Sequence, residues 1–136
     1  MGIRGALIAV GIAVLATPAL ANAVLPLEGI FGNASGCDYF MTGELGSDDL
    51  MVLTPDTFTT YGSGCYFESL TASTHYSYTI SALCTAEGED GSSHEVVTVF
   101  DMAENGLMVE LVGVGMFGPI FPCPGTATLF QRGVPA

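Results

Sequence analysis

The stretch YSYTISALCTAE, residues 76–87, contains the clearest structural pattern in the chain. Its even-numbered positions carry Tyr, Tyr, Ile, Ala, Cys and Ala, whereas most of its odd-numbered positions carry Ser or Thr. Successive side chains of a strand point to opposite faces of the sheet. The alternation therefore predicts a long β-strand whose even-numbered side chains face the core.

Further strands are predicted on both sides of this one, each bounded by Gly, Pro, Asn or Asp. They lie at residues 27–31, 50–54, 57–61, 65–70, 95–102, 107–112 and 126–130. No segment after residue 23 has a convincing helical period. About eight strands joined by short loops must close or cover their edges. The sequence therefore predicts an all-β fold, a small up-and-down antiparallel β-barrel or meander.

The dipeptide Asn-Gly at residues 105–106 predicts the register of one hairpin. This dipeptide favours a two-residue type I′ turn, because both of its residues accept a positive φ. Such a turn places Phe100 opposite Leu111 on the buried face. It also places Asp101 opposite Glu110 on the outer face, where we expect two solvated carboxylates.

Residues 1–23 have the pattern of a secretory signal peptide. Arg4 precedes an uninterrupted apolar run at residues 6–16, and small residues precede the predicted cleavage site. The apolar run is shorter than the roughly 20 residues that span a bilayer, so we favour cleavage over a membrane anchor. We expect a periplasmic or secreted protein without membrane attachment, in which residues 24–136 form a single β-barrel domain.

The charge of the predicted mature chain is strongly negative. After removal of the signal peptide, 14 Asp and Glu residues stand against the single Arg132, which gives a formal charge of −13. Binding to nucleic acid relies on Lys and Arg, so this charge excludes nucleic acid as a partner and disfavours anionic membrane surfaces. A basic protein or a cation remains compatible with it.

Four cysteines follow the signal peptide, namely Cys37, Cys65, Cys84 and Cys123. An even number of cysteines in a short exported chain predicts two disulfides. Because no C-x-x-C spacing occurs, neither a zinc knuckle nor a thioredoxin-like redox pair is predicted.

Few residues offer catalytic chemistry. His75 and His94 lie apart in the sequence without a metal-binding pattern, and we expect both at the surface. Ser63 lacks the glycine and the strand-to-helix context of a nucleophile elbow. The acidic segment at residues 87–92 does not follow an EF-hand order, so a solvated turn is a better interpretation than a calcium site. We therefore predict no metal, no cofactor and no enzymatic activity.

The segment at residues 113–125 has no charged residue and is rich in Gly and Pro. It carries four large apolar side chains, those of Met116, Phe117, Ile120 and Phe121. Gly and Pro disfavour a regular strand here, so we predict a loop. This loop either closes one end of the barrel and buries these side chains, or exposes them as a recognition loop for a partner.

The residues LEGIF at 27–31 resemble the L-x-G-x-W start of lipocalin-like barrels, with Phe in place of Trp. Together with the order of the signal peptide, the cysteines and the motif FPCP, the chain resembles small exported four-cysteine proteins of Gram-negative bacteria, for which no function is established. The resemblance implies the bridges Cys37–Cys65 and Cys84–Cys123. The predicted strands leave Cys65 and Cys84 on one face, so a Cys65–Cys84 bridge stays possible.

Two functions of different classes follow from these observations. The first is an exported binding module whose partner is a basic protein. An example of such a module is an inhibitor of a basic enzyme such as lysozyme, or of a protease. This idea rests on analogy at the level of the fold and on the acidic surface. The alternative is a lipocalin-like carrier of a small apolar ligand, which requires a cavity inside the barrel.

Overall fold

The computed structural model describes residues 23–126 and Gly11. Apart from Gly11 and Ala23, the signal peptide predicted at residues 1–23 lies outside the described residues, and so does most of the strand predicted at residues 126–130. Both stay predictions.

Eight antiparallel strands form a closed barrel, in which each strand pairs with its neighbours along the chain and the last strand pairs with the first. This order confirms the predicted all-β, up-and-down barrel. The strands are β1 (Phe31–Gly32), β2 (Met51–Leu53), β3 (Thr57–Thr60), β4 (Ser63–Ser73), β5 (Ser77–Ala86), β6 (Ser93–Asp101), β7 (Leu107–Leu111) and β8 (Gly115–Pro122). One helix, α1 (Ala34–Thr42), and a short 3-10 helix, Ala103–Asn105, complete the fold.

The interior of the barrel is filled by apolar side chains. Ile80 and Ala82 of β5 are fully buried, which confirms the predicted inward face of that strand. Leu25, which precedes β1, is only 1 % exposed and packs into the same interior cluster, while its N–H donates to the carbonyl oxygen of Pro55 over 2.9 Å. The other buried members of this cluster are Leu53, Phe58, Cys65, Phe67, Val97, Val99, Leu107, Val109, Leu111 and Ile120.

The register predicted for the β6–β7 hairpin is wrong. Phe100 pairs with Met108 rather than with Leu111, and Asp101 pairs with Leu107 rather than with Glu110. Consequently Phe100 lies on the outer face and is half-buried, whereas its neighbour Val99 is fully buried in the interior.

The turn explains this difference. Residues 103–105 form the 3-10 helix, and the N–H of Met102 donates to the carbonyl oxygen of Gly106 over 2.9 Å. Within this turn, the positive φ angles belong to Ala103 (54°) and Gly106 (85°) and not to the pair Asn105 and Gly106. The connection is therefore longer than a two-residue type I′ turn, and the strands pair at a different offset.

Two disulfides are present, as the number of cysteines predicts, but their pairing differs from the one implied by the resemblance. The bridges are Cys37–Cys123 and Cys65–Cys84, and no cysteine of the described residues is free. The alternative Cys65–Cys84 bridge is thus confirmed, because these two residues lie directly opposite each other on β4 and β5. Cys37 lies on α1, beside the segment that follows β8, and therefore meets Cys123.

Candidate functional site

The four apolar residues of the predicted recognition loop lie on β8, in a strand instead of a loop. Two of them face the interior: Ile120 is fully buried, and half-buried Phe117 makes an edge-to-face contact with Phe58 at 5.7 Å between ring centroids. The other two, Met116 and Phe121, lie on the outside, 52 % and 46 % exposed. The structure therefore divides this set between the core and the surface and does not assemble it into one site.

A more complete site lies on the opposite side of β1, where α1 packs against the outer face of the barrel. The helix begins at Asn33, whose side-chain oxygen accepts hydrogen bonds from the N–H groups of Gly36, at 2.8 Å, and Met51, at 3.0 Å. The side-chain amide of Asn33 also donates to the carbonyl oxygen of Asp49 over 2.6 Å. One side chain thus caps the helix and binds it to the start of β2.

Two glycines allow α1 to approach the sheet closely. A Cβ atom on Gly36 would lie 1.9 Å from the carbonyl oxygen of Met51, and a Cβ atom on Gly32 would lie 2.7 Å from the same oxygen. Real Cβ atoms essentially never lie within 3.0 Å of a neighbour, so a larger residue at position 36 would force the helix away from β2. Gly32 belongs to β1, and a Cβ atom there would also lie 3.2 Å from the N and Sγ atoms of Cys37 on the helix.

A small second core joins α1 to the barrel. Ile30, Leu50 and Val52 are at most 4 % exposed and pack together with the Cys37–Cys123 bridge. Because the bridge links the helix to the end of β8, it fixes the position of α1 on the outer face covalently.

Between α1 and the outer face of β2 and β3 runs a surface groove with two compartments. The first compartment, of about 290 Å³, is lined by Tyr39, Phe40, Gly43, Val52, Thr54, Thr57 and Thr59. The second, of about 200 Å³, is lined by Tyr39, Leu45, Leu50, Thr59, Thr60, Tyr61 and Gly62. Both compartments are lined by Tyr39 and Thr59 and therefore lie side by side, and we call the two together the α1–β3 groove.

The α1–β3 groove exposes large apolar side chains. Tyr39 and Phe40 of α1 are 39 % and 43 % exposed, and Leu45 and Tyr61 are each 53 % exposed. Below them, the buried side chains of Leu50 and Val52 form an apolar floor. Aromatic and aliphatic groups with this degree of exposure are typical of surfaces that bind a partner.

Two acidic residues lie beside lining residues near opposite ends of β3, although neither of them lines a compartment itself. Asp56 occupies the turn between the lining residues Thr54 and Thr57, and its N–H donates to the Thr54 hydroxyl oxygen over 3.1 Å. At the other end, the Oε2 atom of Glu87 lies 3.0 Å from the position that a Cβ atom on Gly62 would occupy. Both of the chain's arginines lie outside residues 23–126, so the described part contains neither Lys nor Arg beside its 14 carboxylates.

Asp49, next to the groove residue Leu50, has a perturbed carboxyl group. Hydrogen bonds from the hydroxyls of Ser47 and then Ser35 hold the pKa of the Asp49 carboxyl below its ordinary value of 3.8. The group is fully exposed, so the carboxylate remains charged at neutral pH and adds to the negative field around the groove.

The residues considered for catalysis or metal binding lie elsewhere. Nδ1 of His94 lies 3.0 Å from Oε1 of Glu68 on the exposed outer face, and the neighbouring Ser93 hydroxyl donates to Glu95 rather than to His94. The ring of His75 lies edge-to-face against the ring of Tyr76, with 6.3 Å between centroids. Within residues 23–126, no group of three or more His, Cys, Asp or Glu side chains could hold a metal ion.

Comparison of the chain with protein-family models, with curated proteins and with solved structures gave no match. Among the described residues, no helix has the length and apolar character required to cross a membrane.

The sequence pattern predicts no helix at residues 34–42 and therefore no groove beside one. The signal was nevertheless present: Asn33 is a favourable N-cap residue, and Gly43, which ends α1 with a φ of 74°, is a favourable C-terminal glycine. Residues 33–35, Asn-Ala-Ser, also have the form of an N-glycosylation motif. Its asparagine amide is engaged in the hydrogen bonds that hold α1.

Proposed function

We propose that this protein is an exported binding module that recognises a basic partner protein through the α1–β3 groove. A single observation carries the proposal: an apolar, aromatic groove is exposed on a barrel whose described residues include 14 carboxylates and no Lys or Arg. The two disulfides support export, because such bonds form and persist in oxidising compartments.

The geometry supports recognition of a protein more than transport of a small apolar ligand. A carrier of the lipocalin type holds its ligand inside the barrel. Here the interior positions are occupied by buried Leu, Ile, Val and Phe side chains, and neither compartment of the α1–β3 groove is lined by any of them. A groove on the outside of a rigid barrel suits a segment or surface of a protein.

The charge defines the class of partner. Negative surfaces attract basic proteins and accelerate their association, and exposed Tyr and Phe side chains supply contact area and cation–π contacts for Lys and Arg. An inhibitor of a basic enzyme, for example of a lysozyme, is the form of this function that we propose to test first. A secreted protease with a basic surface is the second.

The test measures binding of the purified, disulfide-bonded protein to a basic lysozyme by calorimetry, together with lysozyme activity. We expect saturable binding that weakens as salt rises, since salt screens exposed charges over about 8 Å at physiological ionic strength. An acidic protein of similar size serves as the control and should not bind.

Two matched variants locate the site. Tyr39→Ser removes the side chain shared by both compartments, whereas Tyr76→Ser removes an equally polar aromatic side chain that is 73 % exposed outside the groove. We expect the first change to weaken binding at least about tenfold, as for an anchor residue of an interface, and the second to leave it unchanged. Equal effects of the two changes would contradict the assignment of the groove.

A further inference from the structure

We infer that the α1–β3 groove binds an extended peptide segment of about five or six residues, apolar in its middle and with a Lys or Arg at each end. This inference rests on the proposed function and specifies its partner. The observation behind it is the arrangement of the groove along β3, where Asp56 and Glu87 neighbour lining residues towards opposite ends and apolar side chains lie between them.

The length of the segment follows from the strand beneath it. The lining residues run along the chain from Thr57 through Thr59 and Thr60 to Gly62. Strand β3 ends at Thr60, and Tyr61 and Gly62 continue the lining in the turn that follows. A strand rises about 3.3 Å per residue, so β3 is roughly 10 Å long, and the turn residues lengthen the lined groove beyond it. An extended ligand has the same rise per residue, and a segment of similar residue count therefore covers the groove.

The preference for basic ends follows from the two flanking carboxylates. Asp56 lies in the turn beside the first compartment, and its Oδ1 atom accepts only a long hydrogen bond, 3.3 Å, from the N–H of Val24. Glu87 lies beside the second compartment, where its N–H donates to the carbonyl oxygen of Gly62 over 2.6 Å and its carboxylate remains exposed. Each carboxylate can therefore accept a charged side chain of a ligand.

The preference for an apolar middle follows from the walls and floor of the groove. Tyr39 lines both compartments, Phe40 and Leu45 extend the wall, and Val52 lies beneath. The aliphatic stems of Lys and Arg also pack well on such rings while their charged ends reach towards a carboxylate.

The other occupants fit less well. A second copy of this chain, with 14 Asp and Glu residues in all, would meet this surface with charge of the same sign. A segment of the chain itself would lack the second basic residue, because Arg4 and Arg132 are the only basic residues and lie far apart in the sequence.

The experiment uses synthetic peptides and the purified, disulfide-bonded protein. Three hexapeptides share the same apolar middle and carry Lys at both ends, Lys at one end with Ser at the other, or Glu at both ends. Binding is measured by fluorescence anisotropy. We expect affinity to fall by about two- to fivefold for the loss of each Lys, the range expected of an exposed ion pair, and the Glu peptide not to bind.

Variants of the protein assign each end. Asp56→Asn and Glu87→Gln should each lower the affinity for the two-Lys peptide by about the same factor as the loss of one Lys from the peptide. For each variant, removing from the peptide the Lys that contacts the replaced carboxylate should cause no further loss of affinity. Glu104→Gln, in the 3-10 helix outside the groove, is the control and should bind as the unaltered protein does. Thermal unfolding verifies that all variants are folded.

The outcomes separate the inference from the proposed function. If Asp56→Asn and Glu87→Gln bind the two-Lys peptide as the unaltered protein does, the paired basic ends are refuted, while Tyr39-dependent binding of a basic lysozyme would still support the function. If lysozyme binds but no peptide does, the extended segment is refuted. If neither lysozyme nor any peptide binds, both proposals are refuted.

Discussion

Replacing Gly36 by alanine should destabilise this protein, although the same change in the interior of an ordinary helix is stabilising. The added Cβ atom would lie 1.9 Å from the carbonyl oxygen of Met51 and 2.9 Å from the side-chain oxygen of Asn33. Real Cβ atoms essentially never approach a neighbour within 3.0 Å. Because the nearest atom belongs to the backbone of β2, helix α1 itself must move away from the sheet by about 1 Å.

The size of the effect is a balance of three contributions. Alanine improves helix propensity by about 1 kcal/mol relative to glycine. Overpacking costs about 1–3 kcal/mol, and weakening the Asn33 cap, whose bond to the N–H of Gly36 is 2.8 Å long, costs about another 1 kcal/mol. We therefore expect the free energy of unfolding to fall by about 2 kcal/mol, which lowers the Tm of a domain of this size by roughly 10 °C.

Urea and thermal unfolding of the disulfide-bonded protein measure this change, with Gly46→Ala as the control. Gly46 lies in the segment after α1, and a Cβ atom there would meet nothing within 4 Å. That change should be neutral or slightly stabilising, because it reduces the entropy of the unfolded chain. A Gly36→Ala protein at least as stable as the Gly46→Ala protein would refute the close approach of α1 to β2.

Three further predictions concern β8, the disulfide of α1 and the carboxyl group of Asp49. Ile120→Ala should lower the free energy of unfolding by about 2–5 kcal/mol because this side chain is fully buried, whereas Met116→Ala on the same strand should change it by less than about 0.5 kcal/mol because Met116 is 52 % exposed. Urea unfolding measures both changes. Replacing Cys37 and Cys123 together by Ser should lower stability by about 4 kcal/mol, since the bridge spans 86 residues, and should abolish groove binding while the circular dichroism of the sheet persists. For Asp49, whose folded-state pKa is lowered, the stabilisation is present above the unfolded pKa and is lost as pH falls through the folded pKa. Asp49→Asn should therefore be less stable than the unaltered protein at neutral pH and equal to it well below pH 3.8, and a constant difference across that range would contradict the assignment.

The fold class could be predicted because its signal is local. Alternation along β5 places Ile80 and Ala82 inside, and the structure confirms this face. Most successive strands are joined by short connections, the segment with α1 between β1 and β2 being the exception, and such connections leave few topologies other than a meander. A meander of eight strands removes its edges by closing. Neither inference requires knowledge of contacts between distant residues.

The register of β6 and β7 depends on information that the pattern does not contain. Strand β6 has apolar residues on both faces: Val97 and Val99 point inwards, whereas Val96 and Phe100 lie on the outer side. Alternation therefore does not distinguish the two faces, and the turn decides the pairing. The turn is a 3-10 helix in which Ala103 adopts a positive φ, a conformation that a non-glycine residue seldom has and that the sequence does not reveal.

The candidate site could not be predicted for a related reason, and that reason bears on its function. A surface helix normally buries its large apolar side chains, which produces the period that reveals it. On α1, however, Tyr39, Phe40 and Met41 are all about 40–55 % exposed, and the buried helical residue is Gly36. The helix is held instead by a capping side chain, by close backbone contact and by the Cys37–Cys123 bridge. Sites where the local sequence pattern does not predict the structure, and where specific contacts hold that structure, are commonly functional. Because these interactions attach the helix to the barrel, the aromatic residues of α1 remain exposed, as the proposed binding of a partner requires.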